Sequence, residues 1–161
     1  MPTKTIVIFS TKGGVGKTLI ATNLAVTLGY YLRKKVALID LDLQVPADMS
    51  RWFDISLHKC LLDLAENLKK DPLRKYLKES FIQIERYGID FLPAVLKPQQ
   101  IPRIDSSRIK AALDALENDY DYVVIDAGRA FTESMFCVFN HANLILLVVT
   151  PDILSVYQTK W

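Results

Sequence analysis

The chain has 161 residues, half of them apolar and 24% charged, with 20 basic against 18 acidic side chains and a net charge of +2. That length suits one domain, residues 1–161, able to bury a core without staples, and the near-cancelled charge gives no electrostatic footprint for nucleic acid. The longest apolar runs fall far short of the roughly 20 residues a membrane span needs, and Cys60 and Cys137 form no C-x-x-C pair, which suits a reducing, cytoplasmic setting.

In chain order, Met1 to Lys4 lead without a signal peptide into a predicted strand over residues 5–10. A helix is expected over 17–33, carrying Leu19, Ile20, Leu24, Val26 and Leu28, then a strand over 36–41. A shorter amphipathic helix follows at 61–68, and Asp71-Pro72 reads as the start of another. Residues 81–85 and 88–93 flank "ERYG" as a candidate hairpin. A helix over 109–116 has N-cap choices from Asp105 to Ser107, and strands over 122–126 and 144–150 complete the pattern. Runs of Val, Ile and Leu without polar interruption read as strands buried on both faces. Alternating with helices, they predict an α/β fold: a mostly parallel sheet covered by helices on both faces through right-handed crossovers. The chain reaches Trp161 just as a helix begins after the last apolar strand. An uncovered or edge strand is therefore expected there, as in a domain incomplete at its C-terminal side.

The stretch "FSTKGGVGKTLIATN", Phe9 to Asn23, joins a buried strand to a helix through glycines. Such a loop curls its N–H groups inward, and the helix start adds free donors and the positive dipole end, which together hold phosphate. Lys17 is placed to reach the β- and γ-phosphates, and the Thr18 hydroxyl to take one Mg²⁺ position. The strict G-x-x-x-x-G-K-[ST] pattern fails at its first glycine, where Thr11 stands, but Gly16-Lys17-Thr18 is intact. A plain glycine turn is the alternative. "VALIDLDLQ" puts Asp40 and Asp42 at the carboxyl end of a strand, where ligands bind in open parallel sheets. Paired carboxylates repel unless a cation sits beside them; capping of the following turn is the competing explanation. "YDYVVIDAG" repeats the logic with Asp126, a candidate for holding Mg²⁺ through water.

"KGGVGKT", Lys12 to Thr18, resembles the deviant Walker A motif of the MinD/ParA family of dimerising P-loop ATPases. The resemblance implies a P-loop NTPase fold, with ATP/ADP and Mg²⁺ as ligands, slow and partner-stimulated hydrolysis, and an ATP-dependent homodimer. Lys12 then reaches across the dimer to the phosphates bound by the other subunit; an ordinary surface lysine is the alternative. The nucleotide cradle runs through Lys12, Gly13, Gly14, Val15, Gly16, Lys17, Thr18 and Leu19, with the Gly128 backbone facing the γ-phosphate. Thr18, Asp40 and Asp126 form the magnesium shell, Asp42 orients the attacking water, and Lys12 and Lys17 complete the catalytic set. "LLVVTPD", Leu146 to Asp152, resembles the family strand that ends in Thr-Pro. The strand and loop that grip adenine are expected beyond residue 161. "DAGRAF" lacks the proline many relatives carry after the aspartate. Arg129 within it reads as a solvated loop residue, with stabilisation of developing charge as the other option. "GIDFLPAVLKPQQI" resembles a phrase of the CpaE/TadZ pilus-assembly branch, with partitioning and division-site placement open as other roles. Such a switch acts with a protein partner, in the cytoplasm or at the membrane or cell pole. Two rival functions are a nucleotide-binding scaffold without hydrolysis and a kinase, the latter requiring a tyrosine-rich tail. The basic run from Lys69 to Lys78 reads as a solvated face, Arg51-Trp52-Phe53 as a packing anchor, Cys137 as a buried thiol, and His58 and His141 as non-metal residues.

Overall fold

The computed structural model describes residues 2–44, 48–70 and 77–160. Its elements are β1 (Lys4–Phe9), α1 (Lys17–Val26), β2 (Val36–Leu41), α2 (Ser50–Phe53), α3 (Leu61–Lys70), β3 (Ile82–Ile84), β4 (Ile89–Pro93), α4 (Ser106–Leu116), β5 (Tyr122–Ala127), α5 (Glu133–His141), β6 (Leu144–Leu147) and α6 (Ile153–Lys160). The strands form one sheet in the order β3-β4-β2-β5-β1-β6. Every neighbouring pair is parallel except β3 with β4, which form the antiparallel hairpin that "ERYG" predicts. Register places Ile8 and Asp40 on either side of Asp126, so the carboxyl ends of the three inner strands lie level. A ligand site at that edge follows from topology.

Alternation along each strand splits the core in two. Val7, Phe9, Ala37 and Ile39 face α3, α4 and α5 through Leu61, Leu64, Ile109, Leu113 and Val138. Ile6, Ile8, Leu38 and Val124 face Ala21 and Ala25 of α1 and Leu28 just beyond it. The helices do cover both faces. Phe81 and Phe91 are fully buried, and each side chain of that kind contributes about 1.5–3 kcal/mol of transfer free energy. Among the described residues no helix is long and apolar enough to cross a membrane.

Several expectations change. The helix predicted over 17–33 is regular only to Val26 and continues as a π-helical turn, Thr27–Tyr31. Its buried apolar positions are the small residues Ala21 and Ala25, whereas Leu19 and Ile20 are exposed. The strand predicted over 144–150 is paired only at Leu144–Leu147 and is largely exposed, because it is the sheet edge and, among the described residues, has β1 as its single neighbour. This is the edge strand expected near the end. Helix α3 runs to Lys70, past its predicted limit. Helix α5 was not foreseen, although Thr132 caps it by accepting from the Met135 N–H at 3.2 Å. Cys137 on it is half-buried rather than buried, its thiol 3.6 Å from the Ser106 carbonyl. Of the Arg51-Trp52-Phe53 anchor only Phe53 packs, with its ring against Phe91 and Tyr87, while Trp52 is exposed. Asp71-Pro72, Arg74 and Lys75 lie outside the described residues, and Lys69, Lys70 and Lys78 are exposed as expected of a solvated face.

Candidate functional site

Between β1 and α1 the chain passes through Gly14 at φ +75° and Gly16 at φ +97°, left-handed conformations that L side chains resist. Open space surrounds both positions. Backbone angle, not crowding, is therefore what requires glycine at these two places. Gly16 is the N-cap of α1 and supplies no side-chain hydrogen bond. The first-turn N–H groups of Lys17, Thr18 and Leu19 are thus left for an anion, backed by the helix dipole. The Ser10 hydroxyl braces the loop by donating to the Lys12 carbonyl at 2.6 Å. Val15 is half-buried within the loop, and the Leu19 side chain projects outward, so its contribution is its backbone.

Lys17 is buried, 6% exposed, which is rare for a lysine unless a charge faces it. Beneath it the Thr18 hydroxyl donates to Asp126 Oδ2 at 2.6 Å. The other oxygen, Asp126 Oδ1, is buried with no hydrogen-bond partner. Burial pushes the Asp126 carboxyl up to about 6, against the opposing pull of Thr18 and Lys17. Asp40, its register partner on β2, is only 4% exposed and is pushed up to about 8, first by burial and then by the Asp126 charge. Buried carboxyls side by side with one oxygen unmatched have the donor chemistry that suits a cation. Among the described residues no three His, Cys, Asp or Glu side chains converge. The donors present therefore suit an ion that keeps waters and phosphate oxygens in its shell, as Mg²⁺ does. Thr18, Asp40 and Asp126 fit it.

Asp42 lies one residue past β2, half-buried. Its N–H donates to Asp40 Oδ1 at 3.1 Å, and its own Oδ1 accepts from the Gln44 N–H at 3.0 Å. The turn-capping alternative is thus met by this geometry. Gly128 packs on this corner: a side-chain carbon there would lie 3.7 Å from Asp42 Oδ1. An open cleft of about 550 Å³ is lined by Gly13, Gly14, Gly16, Lys17, Thr18, Leu19, Asp42, Gln44, Asp48, Trp52 and Arg129. The loop, Thr18 and Asp42 thus meet at one place, with Asp40 and Asp126 beneath.

Lys12 points elsewhere. Its Nζ donates to Asp152 Oδ2 at 2.9 Å, in the turn between β6 and α6. The Thr150 hydroxyl donates to the same oxygen at 2.5 Å and the Ser155 N–H to Oδ1 at 2.9 Å. Thr150 and then Lys12 hold the Asp152 carboxyl well below the usual carboxylate range. Sequence reading had Asp152 only as the end of a family strand; its signal was a carboxylate capping the last helix. His141 is structural, with Nδ1 2.8 Å from the Cys137 carbonyl and Nε2 3.0 Å from Asp114 Oδ1.

Residues 3–158 match the AAA domain family. The chain is 33% identical over 156 residues to an uncharacterized ATP-binding protein of Methanocaldococcus jannaschii, covering 94% of this chain and 54% of that one. It superimposes on the crystal structure of a ParA family ATPase from Chlorobium tepidum with a TM-score of 0.83 at 22% identity, covering 96% of this chain and 64% of the other. For the septum site-determining protein MinD of Pyrococcus horikoshii, solved with Mg-ADP, the TM-score is 0.79 at 23% identity, over 97% and 61%. These crystal structures speak for the fold, and the chain spans less than two thirds of each of the three proteins.

Proposed function

The chain belongs to the MinD/ParA family of P-loop ATPases, and from that premise we propose that it binds ATP with magnesium, closes as a dimer over two nucleotides and reopens on slow hydrolysis. The observation that carries this reading is the coincidence, at one edge of the sheet, of an uncapped helix start, a buried lysine and a buried carboxylate with one oxygen unmatched. Phosphate satisfies the first two and a divalent cation the third. The Mg-ADP bound to the Pyrococcus protein is ligand chemistry of the same kind.

In this reading the N–H groups of the loop and Lys17 hold the phosphates. A magnesium ion on Thr18, Asp126 and Asp40 would neutralise phosphate charge. Asp42 orients water toward the terminal phosphorus; the water oxygen bonds there as the bond to the bridging oxygen breaks, giving ADP and phosphate. Lys17 and Lys12 offset the charge that develops. ATP drives closure only by binding the dimer better than the monomer. The Lys12–Asp152 pair gives that difference a physical form, since Lys12 must leave Asp152 before it meets the partner's nucleotide.

The use of the cycle is spatial positioning with a protein partner. The name of the Pyrococcus protein, septum site-determining, favours division-site placement, with partitioning open as another use. Pilus assembly is favoured by "GIDFLPAVLKPQQI", which spans β4 and the turn after it. The test is nucleotide titration combined with analytical ultracentrifugation. Lys17→Ala is expected to weaken ATP binding at least about a hundredfold by removing a buried charge-assisted contact. Lys12→Ala is expected to keep binding but remain monomeric. Normal ATP-dependent dimerisation of Lys12→Ala overturns the role given to Lys12, and wild-type protein that stays monomeric with ATP sinks the switch. A second reading, a scaffold that binds ATP without hydrolysis, is favoured by the "DAGRAF" departure and requires that no phosphate be released.

A further inference from the structure

Arg129 stands in the segment that departs from the family pattern, and the geometry gives it a place it does not have in the sequence. Its guanidinium lies over Gly13, in the outer part of the phosphate loop. A side-chain carbon on Gly13 would fall 3.0 Å from Arg129 Nη1 and 3.7 Å from Cζ. The guanidinium thus sits directly against the loop backbone at 13, close enough that a side chain there would have to push it aside. The backbone behind Arg129 is anchored, because Gly128 is buried against the Leu41 carbonyl and Asp42. Arg129 lines the same cleft as Lys17 and Thr18. Among the described residues it makes no ion pair, whereas Lys12, on the other side of Gly13, is held by Asp152.

We propose that Arg129 is a further catalytic residue, binding the terminal phosphate of the triphosphate from within the same chain. This rests on the reading of the cleft as a nucleotide site. On that reading the α1 start and Thr18 serve the inner phosphates, and Lys17 spans the β- and γ-phosphates. Arg129 occupies the opposite end of the loop, beside the Asp42 corner from which water attacks. Gly13, Asp42 and Arg129 line one cleft, and in this proposal the transferred phosphoryl group, which ADP lacks, occupies the space they share. A guanidinium suits this position better than an ammonium, because its fork of donors grips two phosphate oxygens at once. The arrangement makes the chain a reader of the terminal phosphate before any second subunit arrives, with Lys12 still on Asp152.

The experiment is calorimetric titration of the full chain with β,γ-imido ATP and with ADP, each with magnesium, for wild type, Arg129→Ala and Arg129→Lys. Arg129 is exposed, and matching thermal unfolding without nucleotide confirms that each variant is folded. Arg129→Ala is expected to bind the triphosphate analogue about ten- to a hundredfold more weakly, the loss of hydrogen bonds to a charged group, with ADP binding unchanged. Arg129→Lys recovers part of the loss, since it restores the charge without the fork. Equal loss on both nucleotides makes Arg129 a support of the loop and overturns the proposal, as does full-strength triphosphate binding by Arg129→Ala. Wild-type protein that binds neither nucleotide overturns the nucleotide site itself and the role of Arg129 with it.

Discussion

Thr18 satisfies one oxygen of a carboxylate whose other oxygen is already unmatched. Thr18→Ala leaves Asp126 with neither oxygen bonded, and the nucleotide-free protein should lose about 1–3 kcal/mol, the cost of stranding a buried acceptor. Urea unfolding measures it, and Thr18→Ser, which keeps the hydroxyl, should recover most of the loss. Gly29 is a second sensitive position for a steric reason. A side-chain carbon there would sit 2.4 Å from Ile89 Cγ2 and 2.9 Å from the Tyr87 carbonyl oxygen. Gly29→Ala forces the π-helical turn and the β-hairpin apart, so guanidinium unfolding should show about 1–3 kcal/mol of overpacking cost; an unchanged midpoint would falsify that contact. That Lys17, Thr18, Asp40 and Asp126 gather at one sheet edge was legible in the sequence, because buried apolar runs mark where the strands end and Gly16 marks where α1 begins. Gly29, Asp152 and Arg129 could not be read in the same way. What each does depends on a neighbour far along the chain: Ile89 for the first, Lys12 for the second and Gly13 for the third.

Helix α4 shows how much one cap governs at the scale of an element. Asp105, extended at φ −126°, accepts the Arg108 N–H at 2.9 Å, and its carboxylate also meets the Arg108 guanidinium and the Ser107 hydroxyl. The helix it starts buries Ile109, Ala112, Leu113 and Leu116 in the larger core. Asp105→Ala should therefore destabilise the protein by about 1 kcal/mol, read as a shifted urea midpoint, with Asp105→Asn retaining most of the stability. This cap was legible in the sequence because Asp105 sits directly before a clear i, i+3, i+4, i+7 pattern. Helix α5 was not, because Phe136 is exposed while Met135 and Val138 are buried, which blurs the period. The β6 stretch erred in the opposite sense. Its unbroken apolar run signals a strand meant for cover on both faces, but burial is a property of neighbours, and among the described residues β1 is the only strand beside it.

At the scale of the whole molecule, the layers share one sheet and a buried titration anywhere registers in global unfolding. Asp90 on β4 accepts the hydroxyl of Tyr120, which lies just before β5, at 2.8 Å; β2 lies between those strands. Burial raises the Asp90 carboxyl above its ordinary value, opposed first by Tyr120 and then by Lys78. A folded value above the unfolded one means that the native state binds the proton more tightly. The contribution of Asp90 is then fully present below the ordinary value of 3.8 and is lost as pH rises through the raised one. Tyr120→Phe keeps the ring beside Phe81, 5.7 Å between centroids, but removes the donor that limits this loss. It should push the folded value of Asp90 higher still. The variant should therefore fall below wild type by about 1–3 kcal/mol near pH 7, and the gap should narrow as Asp90 is protonated toward pH ~4. Urea midpoints across that range distinguish this from a packing defect, since a packing defect would leave the two curves parallel at every pH.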